Sequence, residues 1–179
     1  MASPEQYRPY APLESGLLDG MPAFGQGYRL LMDGQLHDKT GNRAGHDPIV
    51  SGRLMERLCR KVTDHGDELL DVDTKFLDDA RSVVVAYGSV SRSALSAVRS
   101  ARAEGIQVGF IKLRILWPFP DGFLRNLLKQ VDKIIIQEMN IGKISRKLER
   151  LVGYGQEIVP VTKLGGSPHT PMEILEKIK

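Results

Sequence analysis

The chain has 179 residues, of which 41% are hydrophobic and 26% charged, and a formal net charge of +3. This composition is that of a globular protein with one core, with or without an extended arm, and no apolar run approaches the roughly 20 residues of a membrane span. Since the charge is too small to favour nucleic acid and the single cysteine, Cys59, excludes an internal disulfide, we expect a cytoplasmic protein without nucleic-acid or membrane partners.

Residues 1–50 are predicted to form an extended arm or linker. The segment is rich in glycine and proline, so it cannot build a core of its own. Aromatic residues and leucines nevertheless recur along it, which indicates that the arm lies against protein absent from this chain. Residues 29–32 could form a short strand, and residues 33–47 a loop.

Residues 51–80 are predicted to hold a helix and a connector. Leu54, Leu58 and Val62 recur at helical spacing on one face of a helix over about residues 50–62. Cys59 falls within this helix, and we expect its thiol to pack as a small apolar group. Residues 61–80 form an acidic connecting segment.

Residues 81–179 alternate between apolar runs and segments of helical period. Strands are predicted at 83–86, 108–113, 133–136 and 158–161, with helices starting near 91, 121, 144 and 171. Ser91 and Asp121 are candidate helix caps, and Thr170 opens a capping box. Pro160 places the last strand at a sheet edge or bulge. The pattern predicts a three-layer α/β/α sandwich with a mostly parallel sheet.

Three of the predicted strands end in unusual polar or aromatic turns. Because the carboxyl ends of parallel strands meet at one edge of a sheet, the three turns should lie together. The candidate residues are Gly88, Ser89, Ser91 and Arg92 in the first turn, Trp117, Pro118 and Phe119 in the second, and Glu138, Asn140 and Gly142 in the third.

Each candidate has a structural alternative beside the functional one. The turn at 88–92 opens a helix and could bind an anion, or could be a tight turn with capping serines; it lacks G-x-G-x-x-G and the P-loop lysine. Glu138 could act as a general base or cofactor clamp, or could accept hydrogen bonds from turn amides or pair with an arginine.

Two histidine–aspartate pairs, His37 with Asp38 and His46 with Asp47, consist of metal-ligand residue types. They lie in a glycine-rich loop, and no further histidine or cysteine is placed to complete a site. We expect this loop to hydrogen-bond to a partner or a neighbouring domain. The basic residues between 143 and 150 indicate a solvated helix face, and no G-x-S-x-G elbow is present. The residues alone therefore show no complete catalytic set.

Several of these motifs together resemble the alpha subunit of the 2-oxoacid:ferredoxin oxidoreductases, of the 2-oxoglutarate or branched-chain type. The resemblance covers nearly the whole chain. Upstream, His37, Asp38 and Gly41 match the family's Gly-Leu-x-His-Asp-Glu-x-Gly stretch, whereas Lys39 replaces its glutamate. The other matching segments are 86–93, 97–105, 113–120 and 137–143.

The resemblance implies that this chain is the second domain of that subunit, similar to the C-terminal domain of transketolases, with the preceding arm. The family converts a 2-oxoacid, CoA and oxidised ferredoxin into acyl-CoA, CO2 and reduced ferredoxin. Thiamine diphosphate, Mg2+ and an iron–sulfur cluster would be held elsewhere in the complex, with none in this chain.

The implied partners are the missing first domain of the alpha subunit, a beta subunit, gamma or delta subunits, and ferredoxin, in a hetero-oligomer. We expect a non-catalytic interface domain that is inactive in isolation, with the three strand-end turns and the His37–Asp38 pair as candidate interface. One alternative is a stand-alone nucleotide- or anion-binding domain that uses the turn at 88–92. Another is a self-sufficient thiamine-dependent enzyme.

Overall fold

A computed structural model describes residues 2–179, so Met1 of the predicted arm lies outside the described residues. The chain divides into two compact units, one ending at Glu68 and one spanning Leu69–Lys179. Among the described residues, no helix has the length and apolar character needed to cross a membrane.

The first unit consists mostly of turns and contains helix α1 (Pro48–Thr63). The helix starts at Pro48 because the Asp47 carboxylate accepts hydrogen bonds from the amides of Ile49 and Val50, at 2.9 and 3.1 Å. The predicted strand at 29–32 is wrong. Among the described residues none forms a β-bridge with this segment, and Met32 is 61% exposed, so the apolar run has neither a ladder nor a core to join.

The first unit buries few side chains, although three of its tyrosines stack on other rings within it, whereas Phe24 is 89% exposed. The rings of Tyr7 and Tyr28 pack edge to face, with centroids 5.1 Å apart. No residue of α1 is buried, and Cys59 is exposed. The expectation of a packed Cys59 is therefore wrong, because this position follows Leu58 around the helix and points away from its apolar stripe. The buried residues described in this unit are Pro9, Pro22, His37 and Ala44.

The second unit is built on a five-stranded sheet with the order β1-β3-β2-β4-β5. Strands β2 to β5 are parallel, and β1 joins the edge of the sheet antiparallel to β3. The strands are β1 (Val72–Lys75), β2 (Ser82–Tyr87), β3 (Val108–Leu113), β4 (Lys133–Glu138) and β5 (Glu157–Thr162).

Helices cover both faces of this sheet, which confirms the predicted three-layer α/β/α sandwich. The helices are α2 (Ser91–Ala103), α3 (Asp121–Leu128), α4 (Ser145–Glu149) and α5 (Pro171–Ile178). Side chains from α2 and α5 share one core cluster with alternate strand residues such as Val84 and Ile135. Side chains from α3 and α4 share the other with Val83 and Ile136. Strands β2, β3 and β4 have continuous apolar runs because both of their faces are buried.

The structure contains only some of the helix caps predicted from the sequence. The capping box of Thr170 and Glu173 is present before α5, and Pro160 does lie in the edge strand β5. Ser91 and Asp121, in contrast, are first helical residues, preceded by Val90 and Pro120 at the cap positions. The prediction that they cap is wrong because their side chains bind elsewhere. Ser91 Oγ donates to the Gly88 carbonyl oxygen, and the Asp121 carboxylate pairs with Arg150.

Candidate functional site

The three predicted turns lie at one edge of the sheet. Strand β2 is flanked by β3 and β4, both parallel to it, so the turns that follow these strands emerge at the same end. The helices after β2 and β4 cover opposite faces. The crevice between β2 and β4 is therefore the topological switch point, where open α/β sheets usually bind their ligands.

In this chain, side chains of its own fill the switch point, and Glu138 is at their centre. Glu138 ends β4 and is fully buried. Its Oε2 accepts hydrogen bonds from the Ile144 amide at 3.0 Å and the Tyr87 hydroxyl at 3.2 Å. Its Oε1 accepts the Ser145 amide, also at 3.0 Å, and the Ser145 hydroxyl. Both carboxylate oxygens are thus occupied by donors from the same domain.

Asn140 completes this network. Its Nδ2 donates to the Tyr87 hydroxyl oxygen at 2.5 Å, and its Oδ1 accepts from the amides of Gly142 and Lys143, at 2.9 and 2.8 Å. Gly142 has a φ of +88°, a conformation that favours glycine. Glu138, Asn140 and Gly142 therefore fold the turn between β4 and α4.

The protonation of Glu138 follows from these contacts. Burial favours the neutral acid, but hydrogen bonds from the Ser145 hydroxyl and from the Ile144 and Ser145 amides favour the carboxylate more, so the pKa of Glu138 lies below its ordinary value of 4.5. A carboxylate with a lowered pKa and four donors in place is a weak proton acceptor. The observed contacts are those of the structural alternative, a carboxylate that satisfies turn amides.

Two serines of the first turn also form hydrogen bonds within the domain. Gly88 has a φ of +60° and begins a short 3-10 turn, Gly88–Val90, that runs into α2. Ser91 Oγ donates to the Gly88 carbonyl oxygen at 2.5 Å. Ser93, which the sequence did not single out, donates to the Val90 carbonyl at 2.9 Å and accepts from Gln137 Nε2 at 3.0 Å. Ser89 and Arg92 remain exposed.

The second turn presents an aromatic side chain. Trp117 is 52% exposed, and the peptide bond between Trp117 and Pro118 is cis. Phe119 is half-buried, with Lys147 Nζ 5.1 Å from the centroid of its ring. Sequence reasoning missed Ile141, which is 60% exposed in the turn after β4. The signal that could have found it is an isolated apolar residue between Asn140 and Gly142.

The His37–Asp38 pair lies in the first unit. The ring of His37 is buried and stacks on Tyr10 at a centroid distance of 4.7 Å, and its Nε2 lies 3.1 Å from Asp33 Oδ1. Asp38 Oδ1 accepts the amides of Thr40 and Asn42, at 2.8 and 3.0 Å. These contacts close a local loop. Within residues 2–179, no three His, Cys, Asp or Glu side chains are grouped to hold a metal ion.

Curated proteins with similar sequences are subunits of 2-oxoacid oxidoreductases. The chain is 39% identical over 158 residues to the 2-oxoglutarate synthase subunit KorA of Methanothermobacter marburgensis, covering 88% of this chain and 42% of that protein. It is 37% identical over 175 residues to the subunit of the same name from Methanothermobacter thermautotrophicus, covering 98% of this chain and 46% of that protein. The chain thus spans less than half the length of these relatives.

The fold has a counterpart among solved structures. A chain of the 2-oxoglutarate:ferredoxin oxidoreductase from Magnetococcus marinus, solved with 2-oxoglutarate, coenzyme A and succinyl-CoA bound, matches with a TM-score of 0.72 and 21% identity. The match covers 96% of this chain and 30% of that chain, and it supports the fold. The family described as pyruvate:ferredoxin oxidoreductase core domain II matches residues 80–174, more than half of the chain. The chain therefore belongs to the pyruvate:ferredoxin oxidoreductase core domain II family.

Proposed function

We propose that this chain is a non-catalytic interface domain in the alpha subunit of a thiamine-diphosphate-dependent 2-oxoacid:ferredoxin oxidoreductase, of the 2-oxoglutarate type. The complete enzyme would convert a 2-oxoacid, CoA and oxidised ferredoxin into acyl-CoA, CO2 and reduced ferredoxin. In this proposal, residues 1–50 serve as the connecting arm, 51–80 as helix and connector, and 81–179 as the α/β domain.

The observation that carries the proposal is the 37–39% identity to KorA subunits over 88–98% of the chain. A further subunit of the same name, from Methanocaldococcus jannaschii, is 37% identical over 158 residues. Because these relatives continue well beyond the matched region, we propose that the rest of the alpha subunit and a beta subunit supply the parts that this chain lacks.

The contacts at the switch point support a non-catalytic role. Donors from Tyr87, Ile144 and Ser145 saturate Glu138, so the carboxylate that best fits a general base is already engaged in the turn. The cysteine content of the chain also does not fit the iron–sulfur cluster of the family. Cys59 is a lone cysteine, whereas an iron–sulfur cluster needs several thiolates. We propose that thiamine diphosphate, Mg2+ and the cluster are held by other parts of the enzyme.

Exposed apolar side chains support an interface role. Trp117 and Ile141 both project from the carboxyl-terminal edge of the sheet, where turns usually carry polar residues. In the first unit, the apolar stripe of α1, which consists of Leu54, Leu58 and Val62, is only half-buried. Such surfaces mark sites of association when they cluster. We propose that other domains of the oxidoreductase cover them.

Two experiments test the proposal. Calorimetry with thiamine diphosphate and Mg2+ should give no binding heat for the isolated chain, and saturable binding would contradict a non-catalytic role. Co-purification with the remaining polypeptides of the enzyme should be weakened by Ile141→Ser. The control, Tyr154→Ser, alters a fully exposed residue that precedes β5 at the opposite end of the parallel strands. Equal retention of the two variants would contradict the proposed docking edge.

A further inference from the structure

A basic pocket lies beside the first turn, away from the filled switch point. It is an open pocket of about 480 Å3 at the ends of β2 and β3. Its lining residues are Gly88, Ser89, Arg92, Lys112, Leu113 and Arg114. We propose that this pocket binds a phosphate group. The proposal does not depend on the oxidoreductase activity proposed above, because it rests only on residues of the α/β unit.

Strand pairing explains why the three basic side chains converge. Tyr87 and Leu113 are the last paired residues of β2 and β3. Lys112 and Arg114 flank Leu113, so their side chains share the face of the strand end opposite to that of Leu113. Arg92 follows the turn after β2, in the first turn of α2. The pocket therefore gathers three cationic side chains from two neighbouring strand ends, and none of its lining residues carries a carboxylate.

Two of these cations are available to a ligand. Among the described residues, neither Arg92 nor Lys112 forms a salt bridge. Lys112 is half-buried and Arg92 exposed. Arg114 approaches Asp71 at 3.7 Å and Asp73 at 3.8 Å, distances beyond those of a direct hydrogen bond. Asp73 is also the strand partner of Lys112. Asp71 and Asp73 thus lie beside Arg114 and would compete with a bound anion for it.

A phosphate group suits this arrangement better than a single carboxylate. A phosphate monoester carries close to two negative charges and three acceptor oxygens near pH 7, which matches several separate donors. Guanidinium groups bind phosphate through two parallel N–H donors, and lysine adds a point charge. The phosphate could be free inorganic phosphate or part of a larger ligand.

Titrations of the full chain followed by 15N NMR test the proposal. Inorganic phosphate and adenosine monophosphate are added in separate series, with sodium chloride at equal ionic strength as the reference. We expect saturable shifts of the Ser89 and Arg92 amides with at least one phosphate compound, and none with chloride. The tighter compound identifies the source of the phosphate. Absence of saturation with both, or equal shifts with chloride, would overturn the proposal.

Three substitutions sharpen the result. Arg92→Ala should weaken the apparent Kd about fivefold or more, since it removes a charge-assisted donor. Asp73→Asn should tighten binding, because it removes one of the two competing carboxylates. Arg99→Ala removes the same charge from an exposed position of α2 outside the pocket and should leave the Kd unchanged. Equal weakening by Arg92→Ala and Arg99→Ala would show a general charge effect and overturn the assigned site.

Discussion

The Tyr87 hydroxyl donates a hydrogen bond of 3.2 Å to Glu138 Oε2, joining residues 51 positions apart at the ends of two neighbouring parallel strands. This bond spans the crevice in which α/β proteins commonly bind ligands. Desolvation, followed by the charge of Glu138, raises the pKa of Tyr87 above its ordinary value of 10.0, so the phenol remains a donor at neutral pH. The crevice is therefore closed by a stable internal network.

Replacing the central carboxylate of this network should destabilise the domain. Glu138→Gln keeps the shape of the side chain but introduces an N–H donor that faces the donors of Ile144 or Ser145. We expect the free energy of unfolding of the chain to fall by about 2 kcal/mol or more, measured by urea denaturation. The control is Glu149→Gln, which makes the same change at an exposed position of α4. A loss no greater than that of the control would contradict the structural role of Glu138.

The phenolic oxygen of Tyr87 should contribute on its own. Tyr87→Phe removes the donor to Glu138 and leaves Asn140 Nδ2 without its acceptor. We expect a loss of about 1–2 kcal/mol of unfolding free energy, together with faster hydrogen exchange of the Gly142 and Lys143 amides. Tyr154→Phe, at a fully exposed residue, should change neither quantity. Unchanged exchange in the Tyr87 variant would show that the turn does not depend on this bond.

Close packing at Gly109 in β3 gives a prediction about the sheet itself. A Cβ at this position would lie 2.5 Å from Leu77 Cδ2 and 3.1 Å from the Phe76 carbonyl oxygen. Gly109→Ala should therefore lower the melting temperature, with a loss of about 1–3 kcal/mol from overpacking. Gly122→Ala in α3 meets nothing within 4 Å and should be neutral or stabilising, because alanine favours the helix. A neutral Gly109→Ala would refute the close approach.

The capping box before α5 predicts a pH dependence. The Lys163 ammonium, at 2.8 Å, and then the Thr170 amide lower the pKa of Glu173 from 4.5 to about 2. The ionised carboxylate should therefore stabilise the fold fully above about pH 4.5, and its contribution should be lost as the pH falls through 2.

Two lysine substitutions test whether the salt bridge with Lys163 lowers the pKa of Glu173. Lys163→Met should raise the pKa of Glu173 toward 4.5, as measured from the carboxyl 13C shift during a pH titration. Lys177→Met, which removes a lysine of α5 outside this salt bridge, should leave the titration of Glu173 where it is in the parent chain. Titration of Glu173 near 4.5 in the parent chain would show that the salt bridge is not formed in solution.

Local sequence signals predicted much of the α/β unit. Burial and capping impose patterns that span only a few residues. Short stretches of sequence were therefore enough to predict strands β2, β3 and β4 and the capping box of α5. Strand β1 was missed, and its segment was assigned to a connector. Val72-Asp73-Thr74-Lys75 is short, polar and only half-buried at the sheet edge, so it lacks the signal of a central strand.

The candidate site was harder to predict because it depends on strand order. The sequence places Glu138 and Asn140 at a strand end, but it does not show that Tyr87 lies opposite them. That contact arises only when β4 takes its place beside β2. The predicted caps at Ser91 and Asp121 are wrong for a related reason, because each side chain binds a different partner in the fold. Ser91 bonds to Gly88, and Asp121 bonds to Arg150.

The measurement that tests the central claim most directly is reconstitution of 2-oxoglutarate oxidation. Three samples are assayed: this chain alone, the other polypeptides of the enzyme alone, and the mixture of both. Each assay contains 2-oxoglutarate, thiamine diphosphate, Mg2+, CoA and an oxidised ferredoxin. An interface domain predicts no ferredoxin reduction by the chain alone and substrate-dependent reduction by the mixture. Turnover by the isolated chain, or equal turnover by the other polypeptides without it, would contradict the account.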